Sequence, residues 1–295
     1  MNLKTRLSRG RRAEPWIALS LCVAVIVAAA LGQLVHDRPA YAERFAPDWL
    51  PFAAAGLAAA GIMRWNGHPL WLRFQGVLRW SGLLLMVWAA GGLLIDLLRV
   101  AGLVVPNLMP PEVDWPGLAT RTLALAAAVV LAHLALARSA ALASARAATW
   151  YGYAALVLAL TYPALKTWWA LGGTFGLRWP GADGLAGSFT LWLPAVPWLL
   201  AAALSLLLVL TPRWMPRWLL LAAGWFATAI AAPVGLAACW GLVSGLIDGD
   251  ADFGGMAGWV YGLVYGSWLL WGIAAAAATS SYQVRCAALR MSSPT

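Results

Sequence analysis

The sequence predicts an all-α integral membrane protein, an eight-transmembrane-helix bundle with both termini in the cytoplasm. Three observations carry that expectation. First, 62% of the residues are hydrophobic and 11% charged, against about half and about a quarter in ordinary globular chains. Second, the apolar residues form blocks near the ~20 residues that cross a ~30 Å hydrocarbon core as a helix. These blocks lack the polar–apolar alternation of barrel strands, and only helices or closed barrels satisfy their backbone in lipid. Third, arginines concentrate in one alternate set of the segments between the blocks and acidic residues in the other.

The elements follow in order. A basic lead, residues 1–15, carries Lys4, Arg6, Arg9, Arg11 and Arg12. The first span is expected at 16–35. A cleavable signal peptide is the rival reading, but its apolar core would run only about 7–15 residues. The second span is placed at 49–63 and the third at 80–105. Pro106, Pro110, Pro111 and Pro116 then mark a loop, because proline clusters end helices. Spans four and five are placed at 117–136 and 149–165, and span six at 189–210. The seventh, 218–246, is long enough to need tilt or a kink, for which Pro233 is the expected cause. The eighth covers 255–280, and residues 281–295 form a cytoplasmic tail. The third and seventh spans both begin with Trp, run long and precede an acidic loop. That resembles two parallel four-helix repeats, which preserve orientation, although the residue match between the halves is weak.

Charge orients this map. Arg64, Arg73, Arg79, Arg138, Arg146, Arg213, Arg217, Arg285 and Arg290 fall in one set of segments. Asp37, Glu43, Asp48, Glu112, Asp114, Asp183, Asp248, Asp250 and Asp252 fall in the alternate set. By the positive-inside rule the arginines face the cytoplasm of a cell membrane. The formal charge of +9 is explained by this placement, so no nucleic-acid partner is expected; the lipid bilayer is. Many of the 20 tryptophans sit at span ends, among them Trp16, Trp49, Trp80, Trp115, Trp150, Trp192, Trp218 and Trp259, where indoles anchor at the headgroup boundary.

Four ionisable residues fall at similar depth near the outer helix ends: Asp96, Arg99, Arg121 and Lys166. Charges there are costly unless paired or facing a wet cavity. Two readings stand. Asp96 and Arg99 are i,i+3 neighbours that can pair, with Arg121 and Lys166 snorkelling outward. Alternatively, the cations line an externally open pocket for an anionic group. His133 reads as a hydrogen-bonded packing residue. Cys22, Cys239 and Cys286 are scattered, and no CxxC, Walker loop, GxGxxG, HExxH or nucleophile–base pair occurs. No metal or cofactor is expected, and an enzyme is the third-ranked function class.

Gly254, Gly258, Gly262 and Gly266 recur every four residues. Small residues at this spacing let helices approach closely. The stripe predicts either a tight hairpin of the last two helices or an interface with another membrane protein or a second copy.

The segment Tyr162-Pro-Ala-Leu-Lys166-Thr-Trp-Trp169-Ala-Leu-Gly172-Gly173-Thr-Phe-Gly176-Leu177 resembles a motif of a family of bacterial polytopic membrane proteins without assigned activity. In that family a Lys or Tyr precedes Trp-Ala-Leu-Gly-Gly at an outer helix end. The resemblance covers about sixteen residues and the hydropathy profile. It implies a role for Lys166, Trp169, Gly172, Gly173 and Gly176 beyond that of a loop, either as a backbone re-entry lining a cavity or as an anchored helix exit. The function classes, in order, are an accessory or partner-binding membrane component, a small-solute transporter and a membrane-embedded enzyme.

Overall fold

The computed structural model describes residues 3–34, 39, 41, 45–63, 69–105, 110, 112–138, 148–178, 195–212, 214–248 and 255–291. Gly254, Arg64, Arg146, Arg213, Trp192 and the acidic residues 37, 43, 183, 250 and 252 therefore lie outside the described residues. Among the described residues the chain is helical, with no strand and one isolated antiparallel bridge, Leu177 with Met256. Among the described residues, five segments are long and apolar enough to cross a membrane: Glu14–Gln33, Arg73–Gly102, Trp115–Ala135, Arg217–Ile247 and Gly258–Cys286. Their length and composition are those of a multi-pass membrane protein.

The chain divides into two compact units, Met1–Ser144 and Ala145–Thr295. In the first, α1 (Leu3–Gln33) continues back through the basic lead expected to be a tail. It packs on α2 (Leu50–Ile62) and on α5 (Trp115–Arg138), while α3 (Pro69–Ala89) packs on both α2 and α5. The result is a closed ring of antiparallel neighbours. Its core is alanine-rich, with Ala18, Ala54, Ala58, Ala124 and Ala127 around Leu50, Met86 and Leu131. Small side chains let the backbones approach. A Cβ on Gly82 would strike the Ala58 backbone, and one on Gly61 the Arg79 backbone.

The expected third span is not one continuous helix. It starts earlier, at Pro69, and breaks after Ala89 before resuming as α4 (Leu93–Gly102). The break is local chemistry: in Ala89-Ala90-Gly91-Gly92, Gly92 adopts φ +86°, a conformation other residues reach only with strain. A side chain there would also enter the Phe45 ring.

In the second unit, α6 (Trp150–Ala170) packs on α7 (Val196–Leu210) and α9 (Gly258–Met291), and α8 (Arg217–Asp248) packs along α9. Ala155, Ala159, Ala201, Ala202, Ala231 and Ala275 surround Trp271 in its core. The 21-residue α6 has spanning length, but Lys166 and its aromatic residues dilute its apolar character.

Helices α2 and α7, 13 and 15 residues long, measure about 20 and 22 Å at 1.5 Å per residue. Both are shorter than the bilayer core. Their C-terminal carbonyls, left over by helix geometry, are taken by arginines. Arg79 donates to the Gly61 carbonyl at 2.9 Å, and Arg285 donates to those of Leu208 and Val209 at 2.5 and 3.3 Å. These two arginines are thus helix caps as well as flanking charges.

Candidate functional site

Asp96, Arg99 and Arg121 come together in the first unit. The restart at Gly92 sets the α4 face so that Asp96, fully buried, looks toward α5. Arg121 Nη1 bonds Asp96 Oδ2 at 2.5 Å, and its Nη2 reaches Asp114 Oδ2 at 3.4 Å. Asp114 is the N-cap of α5, accepting the Gly117 amide on Oδ1 at 2.9 Å. An aspartate there satisfies an orphan N–H and complements the positive helix end. Gly117 is required by the same geometry, because any Cβ would collide with the Asp114 carboxylate and crowd the Arg121 guanidinium.

Tyr41, from the segment joining α1 and α2, completes the network. Its hydroxyl donates to Asp96 Oδ1 at 3.1 Å and accepts the Asp114 amide at 2.9 Å. Burial, with the nearby Asp96 charge adding, pushes this phenol above its ordinary value despite the opposing Asp114 amide bond; it remains a donor at neutral pH. The Arg99 guanidinium lies 3.7 Å above the Tyr41 ring centroid and donates to the Pro110 and Glu112 carbonyls at 3.4 and 3.1 Å. The i,i+3 pairing expected for Asp96 and Arg99 is therefore replaced. Tyr41 offers its ring to Arg99 and its hydroxyl to Asp96, while Asp96 pairs with Arg121.

Arg121 sits between two carboxylates, and Arg99 is occupied by carbonyls and a ring. Beside them lies a pocket of about 60 Å³ lined in part by Gln33, Phe45, Asp48, Asp114, Gly117 and Arg121. At roughly 10–15 Å³ per water on this measure, the pocket accepts a few waters. It is far below the ~300–1,000 Å³ typical of organic-ligand sites.

Lys166 belongs to the second unit. It does not end its helix, because α6 continues to Ala170. Nor does it snorkel: only 9% of it is exposed, and its ammonium lies 5.5 Å from both the Tyr162 and Trp169 ring centroids. Trp169 is itself buried, with its indole N–H donating to the Phe175 carbonyl at 3.0 Å, so it is a core residue.

The glycine turn is ordered by backbone bonds. Gly172, at φ +88°, donates to the Trp169 carbonyl, and Gly173 donates to that of Trp168, both at 3.0 Å. These are the paired bonds of a Schellman C-cap. Gly176, at φ +81°, turns the chain so that Ala257 donates to the Gly176 carbonyl and Arg178 to that of Gly255, each at 2.8 Å. The segment is a helix exit clamped to the start of α9.

The close approach of α8 and α9 comes from other glycines than the expected stripe. A Cβ on Gly235 would strike the Leu269 backbone, one on Gly272 the Ala232 backbone, and one on Gly224 the Thr279 side chain. A Cβ on Gly262 would meet only the Leu242 side-chain end, and one on Gly266 would meet nothing within 4 Å. His133 also differs from expectation: its side chain is 67% exposed, with Nε2 3.8 Å from Glu14 Oε1. Among the described residues no group of three metal-ligating side chains forms.

No protein-family model, curated protein or solved structure matches this chain.

Proposed function

We propose that the chain is an eight-span component of the cell membrane, with both termini cytoplasmic, that works by binding another transmembrane helix. The five long apolar segments, α6 and the two short apolar helices α2 and α7 together supply eight spans. The alternation of arginine-bearing and acidic segments supports the orientation. The observation that carries the binding role is the open space at Gly266. The α8–α9 hairpin closes through Gly235 and Gly272, and Gly262 meets Leu242 of α8, whereas the Gly266 position is left for a further helix, from a partner protein or a second copy.

Cross-linking in native membranes tests this role. Gly266→Cys, in a chain with Cys22, Cys239 and Cys286 replaced, is expected to yield a covalent complex with a short thiol cross-linker. It should also react with a lipid-soluble maleimide several-fold more slowly than Ile273→Cys, which replaces an exposed side chain. Equal reactivity without a cross-linked product would mean that the stripe faces lipid and would remove the binding role.

A second reading, a small-solute transporter, is favoured by one observation. The chain divides into two compact units, at Ser144 and Ala145, and four of the proposed spans in each would match the organisation of parallel-repeat transporters. In that reading the polar site of the first unit is the Asp96–Arg121 network with its small pocket, and Lys166 serves the second unit.

A further inference from the structure

Among the described residues, the buried Asp96–Arg121 pair of the first unit is matched internally, whereas Lys166 of the second unit meets no carboxylate. Lys166 is nine-tenths buried and, among the described residues, its ammonium meets aromatic faces and no carboxylate. A buried ammonium costs several kcal/mol unless compensated, and ring quadrupoles return only part of that. A second donor stands beside the same ring. Tyr162 meets Trp268 edge-to-face at 5.6 Å, and the buried indole N–H of Trp268 has no acceptor. Its neighbours are satisfied: Trp271 donates to Ser205 Oγ at 3.2 Å and Trp169 to the Phe175 carbonyl at 3.0 Å. The Lys166 ammonium and the unmet Trp268 N–H thus both stand beside the Tyr162 ring, and an oxyanion drawn to the ammonium would supply the charge partner that the described residues do not.

The surroundings choose the class of oxyanion. Lys166 lies one turn before the C-terminus of α6, next to the clamped exit. Trp168, Leu171, Phe175 and Trp259, on the adjoining segments, are all more than half exposed. Phe175 and Trp259 meet edge-to-face at 4.9 Å. A charged point rimmed by exposed aromatic and aliphatic groups at a helix end fits a molecule with an anionic head and an apolar tail. We propose that Lys166, with the Tyr162–Trp268 pair, is the recognition point for the phosphate headgroup of an anionic lipid. It is independent of the helix-binding role of the Gly266 face.

The test uses the full chain purified in mild detergent and native mass spectrometry, with phosphatidylglycerol and phosphatidylcholine supplied in equal amounts. Wild type and Lys166→Arg are expected to retain one phosphatidylglycerol selectively. Lys166→Met is expected to lose that preference by about tenfold, the scale of one charge-assisted hydrogen bond. Unchanged Tm of Lys166→Met in a zwitterionic detergent certifies its fold; should it unfold, Trp268→Phe, which removes the indole N–H and keeps a smaller aromatic ring, is expected to weaken the same selection about threefold provided its own Tm is unchanged. Undiminished selection in a folded Lys166→Met, or in Trp268→Phe where Lys166→Met does not fold, overturns the site. Displacement of the lipid by millimolar inorganic phosphate overturns the lipid assignment in favour of a free anion; persistence of the lipid supports it.

Discussion

Arg121 and Asp96, 25 residues apart, form a buried ion pair at 2.5 Å with side chains 9% and 0% exposed. The pair ties α4 to α5, and through Tyr41 and Asp114 it also ties two connecting segments to the helices. Removing one partner strands the other charge, which typically costs about 3–5 kcal/mol, whereas replacing both by apolar groups of similar volume is often near neutral. Asp96→Leu and Arg121→Met are therefore each expected to lower stability strongly, and Asp96→Leu/Arg121→Met to recover most of the loss. Unfolding in detergent micelles, read as a double-mutant cycle, measures this coupling. Additive losses would show that the two side chains do not act as a pair.

Tyr41 separates Arg99 from Asp96 and bridges to the Asp114 amide. Tyr41→Phe keeps the ring under Arg99 and removes only the hydroxyl. Its expected cost is about 1.5–3 kcal/mol, the range for a hydrogen bond to a charged group. Tyr41→Leu should cost more, because the ring contact with Arg99 goes too. Equal stability of Tyr41→Phe and wild type in the same unfolding assay would remove Tyr41 from the network.

The glycines separate into positions that the fold needs and positions that it leaves open. Gly235→Ala forces a Cβ into the Leu269 backbone and is expected to cost about 1–3 kcal/mol, as overpacking does. Gly172→Ala places a Cβ at φ +88° and is expected to cost on the order of 1 kcal/mol. Gly266→Ala should stay within about 0.5 kcal/mol in the isolated protein. Melting temperatures of the three variants side by side give the ranking; a destabilised Gly266→Ala would mean that its face is already packed within the chain.

The fold class was legible because hydropathy blocks report helices directly. Boundaries were less so: the break at Gly92 leaves no mark in hydropathy, yet it fixes where Asp96 points. Depth along a helix brought Asp96, Arg99 and Arg121 to attention, since rise per residue is constant. Depth carries no information on azimuth or on neighbours, so Lys166 was grouped with residues of another unit. Tyr41 and Asp114 escaped notice because one comes from a connecting segment and the other is a loop acid until the chain folds. The sign that existed was Asp114 three residues before Gly117, an N-cap spacing. The glycine stripe left two partners open, the neighbouring helix or another chain, because four-residue spacing identifies a face without naming what covers it; the glycines that seat α8 on α9, Gly235 and Gly272, fall outside that spacing.

The most direct test of the eight-span, cytoplasmic-termini arrangement is a single-cysteine scan with a membrane-impermeant maleimide on intact cells. Labelling from outside is expected at Asp37→Cys, Glu112→Cys, Asp183→Cys and Asp250→Cys. Ser8→Cys, Arg64→Cys, Arg146→Cys and Ser293→Cys should label only after permeabilisation. Finding Asp183→Cys and Arg146→Cys on the same side, or Ser293→Cys outside, would contradict it.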